Sequence, residues 1–462
     1  MKISEDYSCV LRADGVLELR GGSADRSAAF QEFVEKAGLR FERTIRLPEE
    51  RVREFTASAS ERSGRRQPNL LNHLTVIEGR FHGRLPAEGE GSRASLAELV
   101  SELERFGDVV ESAQLVFYDT PSPALRDDCG RTSRSHVSAQ GYRAPPPGLN
   151  IDAHGRFTGD GVRVYVCEYG WDLGHEDLHG AGVHLSHAMD PSVPHSEVNH
   201  GTGTLGVLVS NPANGIGMAG IAPDAEVHAV ARWTRHGRGI WNLATTALHA
   251  LSSARPGDVV LFEMQHFMGA TTAGPAELQK VVWSETRSAV DRGVVVVAAA
   301  GNGPIDLDSP AEFYRRYRAY GRVPGEPDRD SGAIIVGAGD STSHDWRDNS
   351  TYGCRVNLQG WGDSVATLGL GKGLGTYAAC PERAYRANFS DTSAAAAQVA
   401  GVCAVVQQAA RVLVGRPLAS EEMRQLLIET GTPQGRGERV GPLPDLGRAI
   451  EELRRRATST GS

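Results

Sequence analysis

The stretch Phe389–Gln408, FSDTSAAAAQVAGVCAVVQQ, decides how the rest of the chain is read. From Ala394 onward it is dominated by Ala, Val and Gln and lacks Pro and Asp, which predicts a long helix. Apolar residues surround its whole circumference, as suits a helix in the middle of a large domain. Asp391, Thr392 and Ser393 stand at its start, where such residues usually cap free backbone N–H groups. Ser393 has a second use there. A helix N-terminus stabilises negative charge building beside it, so the serine is also a candidate nucleophile. Which use holds depends on whether the chain supplies a base, an acid and an oxyanion donor elsewhere.

Upstream, near-continuous apolar runs recur: GVRVYVCEYG (161–170), AEVHAV (225–230), DVVLFEM (258–264), GVVVVAAAGN (293–302) and GAIIVGAG (332–339). Such runs mark strands buried on both faces of a parallel sheet. Helical stretches separate them: HGTGTLGVLVS, WNLATTALHALSSA and PAELQKVVWSETRSAVDRG. The alternation predicts a doubly wound, mostly parallel α/β sheet in a main domain spanning 151–415. Sheets of this kind carry their sites at the carboxyl ends of the strands. Residues 1–118 read as a small N-terminal α/β domain, with helices at 28–38 and 95–107 and strands at 73–81 and 113–118. No catalytic constellation is visible in it. Residues 119–150, with Pro145–Pro147 consecutive, have the composition of a linker. Within 416–462, helices at 421–430 and 445–457 are expected to pack on the main domain ahead of a polar tail.

A net charge of −8 and a pI near 6.0 speak against nucleic acid as the main partner. No run of about 18 apolar residues predicts a membrane span. MKISEDYSCVLRADG has no apolar core and is no secretory signal, so a cytosolic protein is the default, with non-classical export left open. The 6 cysteines make no disulfide framework. Cys354 and Cys380 can pair in an oxidising compartment, but reduced thiols are expected.

Four places carry potential chemistry. Glu168 ends the first apolar run, before Tyr169-Gly170. Asn199-His200-Gly201-Thr202-Gly203 offers a histidine opening a glycine-punctuated helix, where His200 can be a cap or a general base. Asn302 follows a buried strand in AAAGN, where its amide can hold a turn or donate to an oxyanion. Ser393 is the fourth. His175-Glu176-Asp177-Leu178-His179 matches the zinc pattern H-E-x-x-H, but glycines at 174, 180 and 182 argue against the helix that pattern needs.

Strand–acid–x-Gly, H-G-T at a helix start, A-G-N after a strand and T-S before an Ala-rich helix, in that order, resemble the subtilisin family of serine peptidases over roughly 155–410. The resemblance implies a serine endopeptidase acting on proteins or peptides without a required cofactor. It assigns Ser393 as nucleophile, His200 as base, Glu168 as the acid, and Asn302 with the Ser393 backbone N–H as the oxyanion hole. Substrate would pair with segments near Trp233 and at Glu263, Met264 and Gln265. The resemblance also implies that residues 1–118 are a propeptide and intramolecular inhibitor, or else an accessory domain, and that NPANGIGMAG, around Asn214, is a calcium loop. Three departures stand out: Glu168 where the family has Asp, Asp391 two residues before the serine, and Ala394 and Ala397 for the usual Met and Pro. A catalytically impaired peptide-binding protein is the alternative. Asp172 competes with Glu168 as partner of His200.

Overall fold

The computed structural model describes the chain apart from residues 13, 79–98, 115–133, 155–156, 191, 235–238, 241, 268–271, 310–329, 375–380 and 460–462. Residues 115–118 of the expected strand at 113–118, residues 119–133 of the expected linker and Cys380 therefore lie outside the described residues.

The N-terminal unit contains β1 (Lys2–Ile3), β2 (Tyr7–Leu11), β3 (Leu17–Gly21), α1 (Ala24–Lys36), β4 (Arg40–Arg43), α2 (Glu49–Ser63), β5 (Leu74–Glu78) and β6 (Val110–Ser112). Its strands pair two by two, and Phe30, Leu39, Phe41 and Leu74 centre a core of its own. The sequence hides α2 because EERVREFTASASERS buries only Val52, Phe55 and Ala59.

The main unit follows with β7 (Arg163–Glu168), β8 (Val183–Leu185), α3 (His195–Val209), β9 (Glu226–Ala231), β10 (Trp233–Thr234), β11 (Gly239–Ile240) and α4 (Leu243–Ser253). Next come β12 (Val259–Phe262), β13 (Gln265–Phe267), β14 (Ala273–Pro275), α5 (Lys280–Asp291), β15 (Val295–Ala299), β16 (Ile334–Gly339) and β17 (Leu358–Trp361). The chain closes with β18 (Val365–Leu368), β19 (Tyr385–Phe389), α6 (Asp391–Leu413), α7 (Ser420–Thr430) and α8 (Leu446–Ser459). Seven of these strands form one parallel sheet in the order β17-β16-β15-β12-β7-β9-β8.

Alternate strand residues face opposite layers. Val164, Val166, Leu261 and Val297 pack with α3 and α6, whereas Tyr165, Cys167, Phe262 and Val296 pack with α4 and α5. The fold is a doubly wound α/β sheet. Helix α6 is long and apolar enough to cross a membrane by length and composition, yet 78% of its apolar window is buried inside the protein. It is the core helix of the first layer, and α7 and α8 join that layer through Met423, Leu427, Leu446 and Ile450.

Residues 134–150 are not a free tether. They form short 3-10 turns that bury Tyr142 and Leu149 in the main core, and His136 N donates to Gly217 O at 2.6 Å. Proline-rich composition suits tightly packed turns as well as open linkers. The N-terminal unit docks on the second layer: Ile45, Val52, Phe55 and Leu70 share an apolar cluster with Leu248, Leu251, Val282 and Val290. Arg51 donates to Ser253 Oγ at 2.8 Å, Arg65 pairs with Asp291 at 3.1 Å, and Asn242 Nδ2 donates to Thr44 O at 2.7 Å.

Candidate active site

Strand register brings the first residues together. Cys167 pairs with Phe262, and Phe262 with Ala298, so Glu168 and Glu263 leave adjacent strands at the same level. Both follow a residue, Cys167 or Phe262, that packs on the α4/α5 layer, and so point to the α3/α6 layer. Each is 3% exposed.

Helix α3 begins at His195, five residues earlier than its sequence suggests, so His200 lies in its second turn instead of opening it. Gly201 explains the close approach: a Cβ there would stand 2.2 Å from Gly170 O and 2.8 Å from Glu168 Cγ. With only hydrogen at 201, His200 Nδ1 comes to 3.5 Å from Glu168 Oε1, long for a hydrogen bond but close for a charge pair. The Phe389 ring meets the imidazole edge-on at 5.4 Å between centroids, and the Arg386 guanidinium lies over Phe389 at 4.5 Å. Burial pulls the imidazole toward neutrality, but the Glu168 charge, aided by Glu263 and opposed by Arg386, lifts it to about 9. Burial also pushes Glu263 up to about 8, against the pull of His200.

Helix α6 starts at Asp391, in the left-handed region at φ 67°, directly after β19. Neither its N-cap Ser390 nor the residues expected as caps closes a side-chain cap. Asn302 does that work from another element. Its Oδ1 accepts from Thr392 N at 3.1 Å and from Thr392 Oγ1 at 2.7 Å. The amide nitrogen is thereby left as the donor end of the Asn302 side chain. Ser393, third in α6, is 1% exposed, and its Oγ closes no hydrogen bond of ordinary geometry; the Glu263 carboxyl is the acceptor it leans toward.

Gln265 Oε1 accepts from Asn302 N at 2.7 Å, which ties β13 to the oxyanion candidate. Met264 is buried. The backbone of Trp233 pairs with Ile240 in the β10–β11 ribbon. The side chain of Glu263, a residue expected to pair with substrate, is buried beside His200 and Ser393. Asp172 does not reach His200 by any described contact; its Oδ1 accepts from Gly174 N at 3.0 Å, closing its own turn.

The H-E-x-x-H stretch is a 3-10 turn, Glu176–Leu178. His175 is buried with both ring nitrogens engaged, at Ala384 O and Asp177 N, while His179 is exposed. The loop around Asn214 closes on Asp177, whose oxygens accept from Asn214 Nδ2 at 2.9 Å and Met218 N at 2.7 Å. Among the described residues no cluster of three His, Cys, Asp or Glu could hold a metal. One carboxylate already occupied by N–H donors does not fit a calcium ion.

Parallel strand ends that gather a serine, an imidazole and a carboxylate around a helix start define a serine hydrolase. Comparison with known sequences narrows this. The profile of the subtilase family matches residues 159–442, and the chain belongs to that family. It is a subtilisin-like serine endopeptidase. The chain is 28% identical to thermitase of Thermoactinomyces vulgaris over 284 residues, 60% of this chain and 86% of that protein. To subtilisin BL of Lederbergia lenta it is 29% identical over 258 residues, 55% and 80% of the two chains. A solved structure of proteases from Pseudoalteromonas arctica superposes with a TM-score of 0.50 at 20% identity, covering 70% of this chain and 100% of that one, a likeness of fold.

Proposed function

We propose that the peptidase works through Ser393, His200 and Glu168, a glutamate variant of the family's triad, with Asn302 in the oxyanion hole. The observation that carries this reading is the 3.5 Å pairing of buried Glu168 with His200 beside the start of α6. Ser393 Oγ attacks the scissile carbonyl carbon while its proton passes to His200 Nε2. The Glu168 carboxylate holds the ring through Nδ1 and stabilises the imidazolium. Asn302 Nδ2 and the Ser393 N–H meet the oxyanion, and the imidazolium returns the proton to the leaving amine. The extra methylene of the glutamate lies against Gly201, where a side chain on α3 would leave it no room. No metal is needed for any step, and the Asn214 loop is held by protein hydrogen bonds in this reading. Substrate would pair with the backbone near Trp233 and along Met264–Gln265.

Residues 1–118 are proposed to be a propeptide-like inhibitor. Their support is the docking of α2 on α4 and α5, outside the catalytic layer. An impaired peptide-binding protein is the second reading, favoured by a Ser393 that is 1% exposed and not bonded to His200. Labelling with a fluorophosphonate decides between them. The wild-type chain should be labelled at Ser393 and Ser393→Ala should not, whereas an unlabelled, well-folded wild type overturns the proposal.

A further inference from the structure

Glu263 has no place in that mechanism, and its surroundings are unlike those of an ordinary structural glutamate. Buried carboxylates normally collect hydrogen-bond donors, because an unpartnered one loses hydration with nothing in return. Both Glu263 oxygens are buried and close no hydrogen bond of ordinary geometry. Glu285, on α5, is likewise buried and unpartnered, but it lies in the opposite layer, where the titratable group it acts on is Cys167. Glu263 faces Glu168, His200 and Ser393. The strand register explains this: adjacent parallel strands, paired at Cys167 and Phe262, place the next two side chains on one face, and the His200 imidazole stands 3.5 Å from the first of them.

We propose that Glu263 is a further positioning residue of the catalytic centre, a second carboxyl that acts on Ser393 through His200 and shares with Glu168 the control of when the imidazole can serve as base. The inference rests on His200 being that base. Two buried carboxylates side by side resist ionising together, and a neighbouring cation eases that resistance. The imidazole is that cation, and Arg386, arriving from β19, is the remaining charge that acts on it. With Glu263 raised to about 8 and His200 to about 9, the neutral-pH site holds an imidazolium beside a protonated Glu263. Raising the pH ionises Glu263, and its charge then holds the proton on His200 longer. The three groups titrate as one coupled set.

The sign follows. A negative neighbour favours imidazolium, so removing it releases the base at lower pH. In the full chain carrying Ser393→Ala, the His200 ring is followed by NMR titration, its resonance identified as the one missing from His200→Gln. Adding Glu263→Gln should move the titration down by about one pH unit, the order of effect of one nearby charge. Glu263→Asp keeps the charge and should restore the original midpoint. With Ser393 intact, the rise of kcat/KM with pH should shift the same way. If Glu263→Gln does not fold, Glu263→Ser carries the same test. An unmoved His200 midpoint, with kcat merely lowered at all pH values, overturns the proposal. A midpoint that moves while fluorophosphonate fails to label the wild type would leave the Glu263–His200 coupling standing and refute the triad assignment instead.

Discussion

Replacing Glu168 by Gln removes one charge and almost no volume, so it isolates what that carboxylate does for His200. The pair lies 3.5 Å apart, with Glu168 at 4% and His200 at 35% side-chain exposure. At an effective dielectric near 20, opposite unit charges at that distance attract by about 5 kcal/mol. The half-open imidazole is partly screened, so about 4 kcal/mol of imidazolium stabilisation is a fair expectation. If most of it is felt in the transition state, kcat falls about 10³-fold. Losing the acid of other serine peptidases costs about 10⁴. Glu168→Asp keeps the charge and shortens the reach by one methylene, so its loss should be smaller, about tenfold to a hundredfold. Asp172→Asn disturbs only a turn and should cost less than about tenfold. A fluorogenic peptide assay at saturating substrate, with circular dichroism to confirm folding, measures all three. A mild Glu168→Gln beside a crippled Asp172→Asn would show that the wrong carboxylate has been paired with His200.

Ser393→Ala should lower kcat by about 10⁶-fold, a magnitude carried over from subtilisin itself. If residues 1–118 are a propeptide, mass spectrometry should also find the wild type cut within 119–150 and the Ser393→Ala chain whole at 49.5 kDa; an uncut, active wild type would make the N-terminal unit a permanent accessory. Asn302→Ala removes both an oxyanion donor and the acceptor for Thr392, so kcat should drop about 10²- to 10³-fold with a lower melting temperature. Gly201→Ala drives a methyl against Gly170 O and Glu168 Cγ; about 1–3 kcal/mol of stability should be lost in denaturant titration, and kcat should fall with it, whereas an unchanged midpoint would mean that α3 is free to shift.

The sheet was legible because strands buried on both faces leave unbroken apolar runs, and the chemistry because Glu168, Asn302 and Ser393 stand next to such runs. What escaped is what only register and approach reveal. β8 and β17 are edge strands of three and four residues, too short to stand out. The meaning of Glu263 depends on which residue of β7 lies beside it, a pairing across 95 positions that no local pattern records. Asp391, Thr392 and Ser393 looked like caps because their residue types favour capping. The acceptor at that helix start instead comes from Asn302, whose oxygen is brought there by the fold. The turns at 134–150 carried linker composition, yet Tyr142 and Leu149 found places in the core.

The docking of α2 also has a history in time. The partners on α4 of this helix and of the loop before it come far later in the chain: Arg46 and Thr245 are 199 residues apart, Arg51 and Ser253 202. At about 5–20 residues per second, a ribosome needs on the order of 10–40 s to bridge that interval. Throughout it, Val52 and Phe55 have only Ile45, Leu70 and Leu71 of their own unit to pack against. A nascent chain thus carries a sticky flank until α4 and α5 emerge, and completion of the N-terminal surface waits on the sheet that it abuts. Slowing translation between residues 64 and 242 should lengthen that exposure and raise the share of chains held by chaperones.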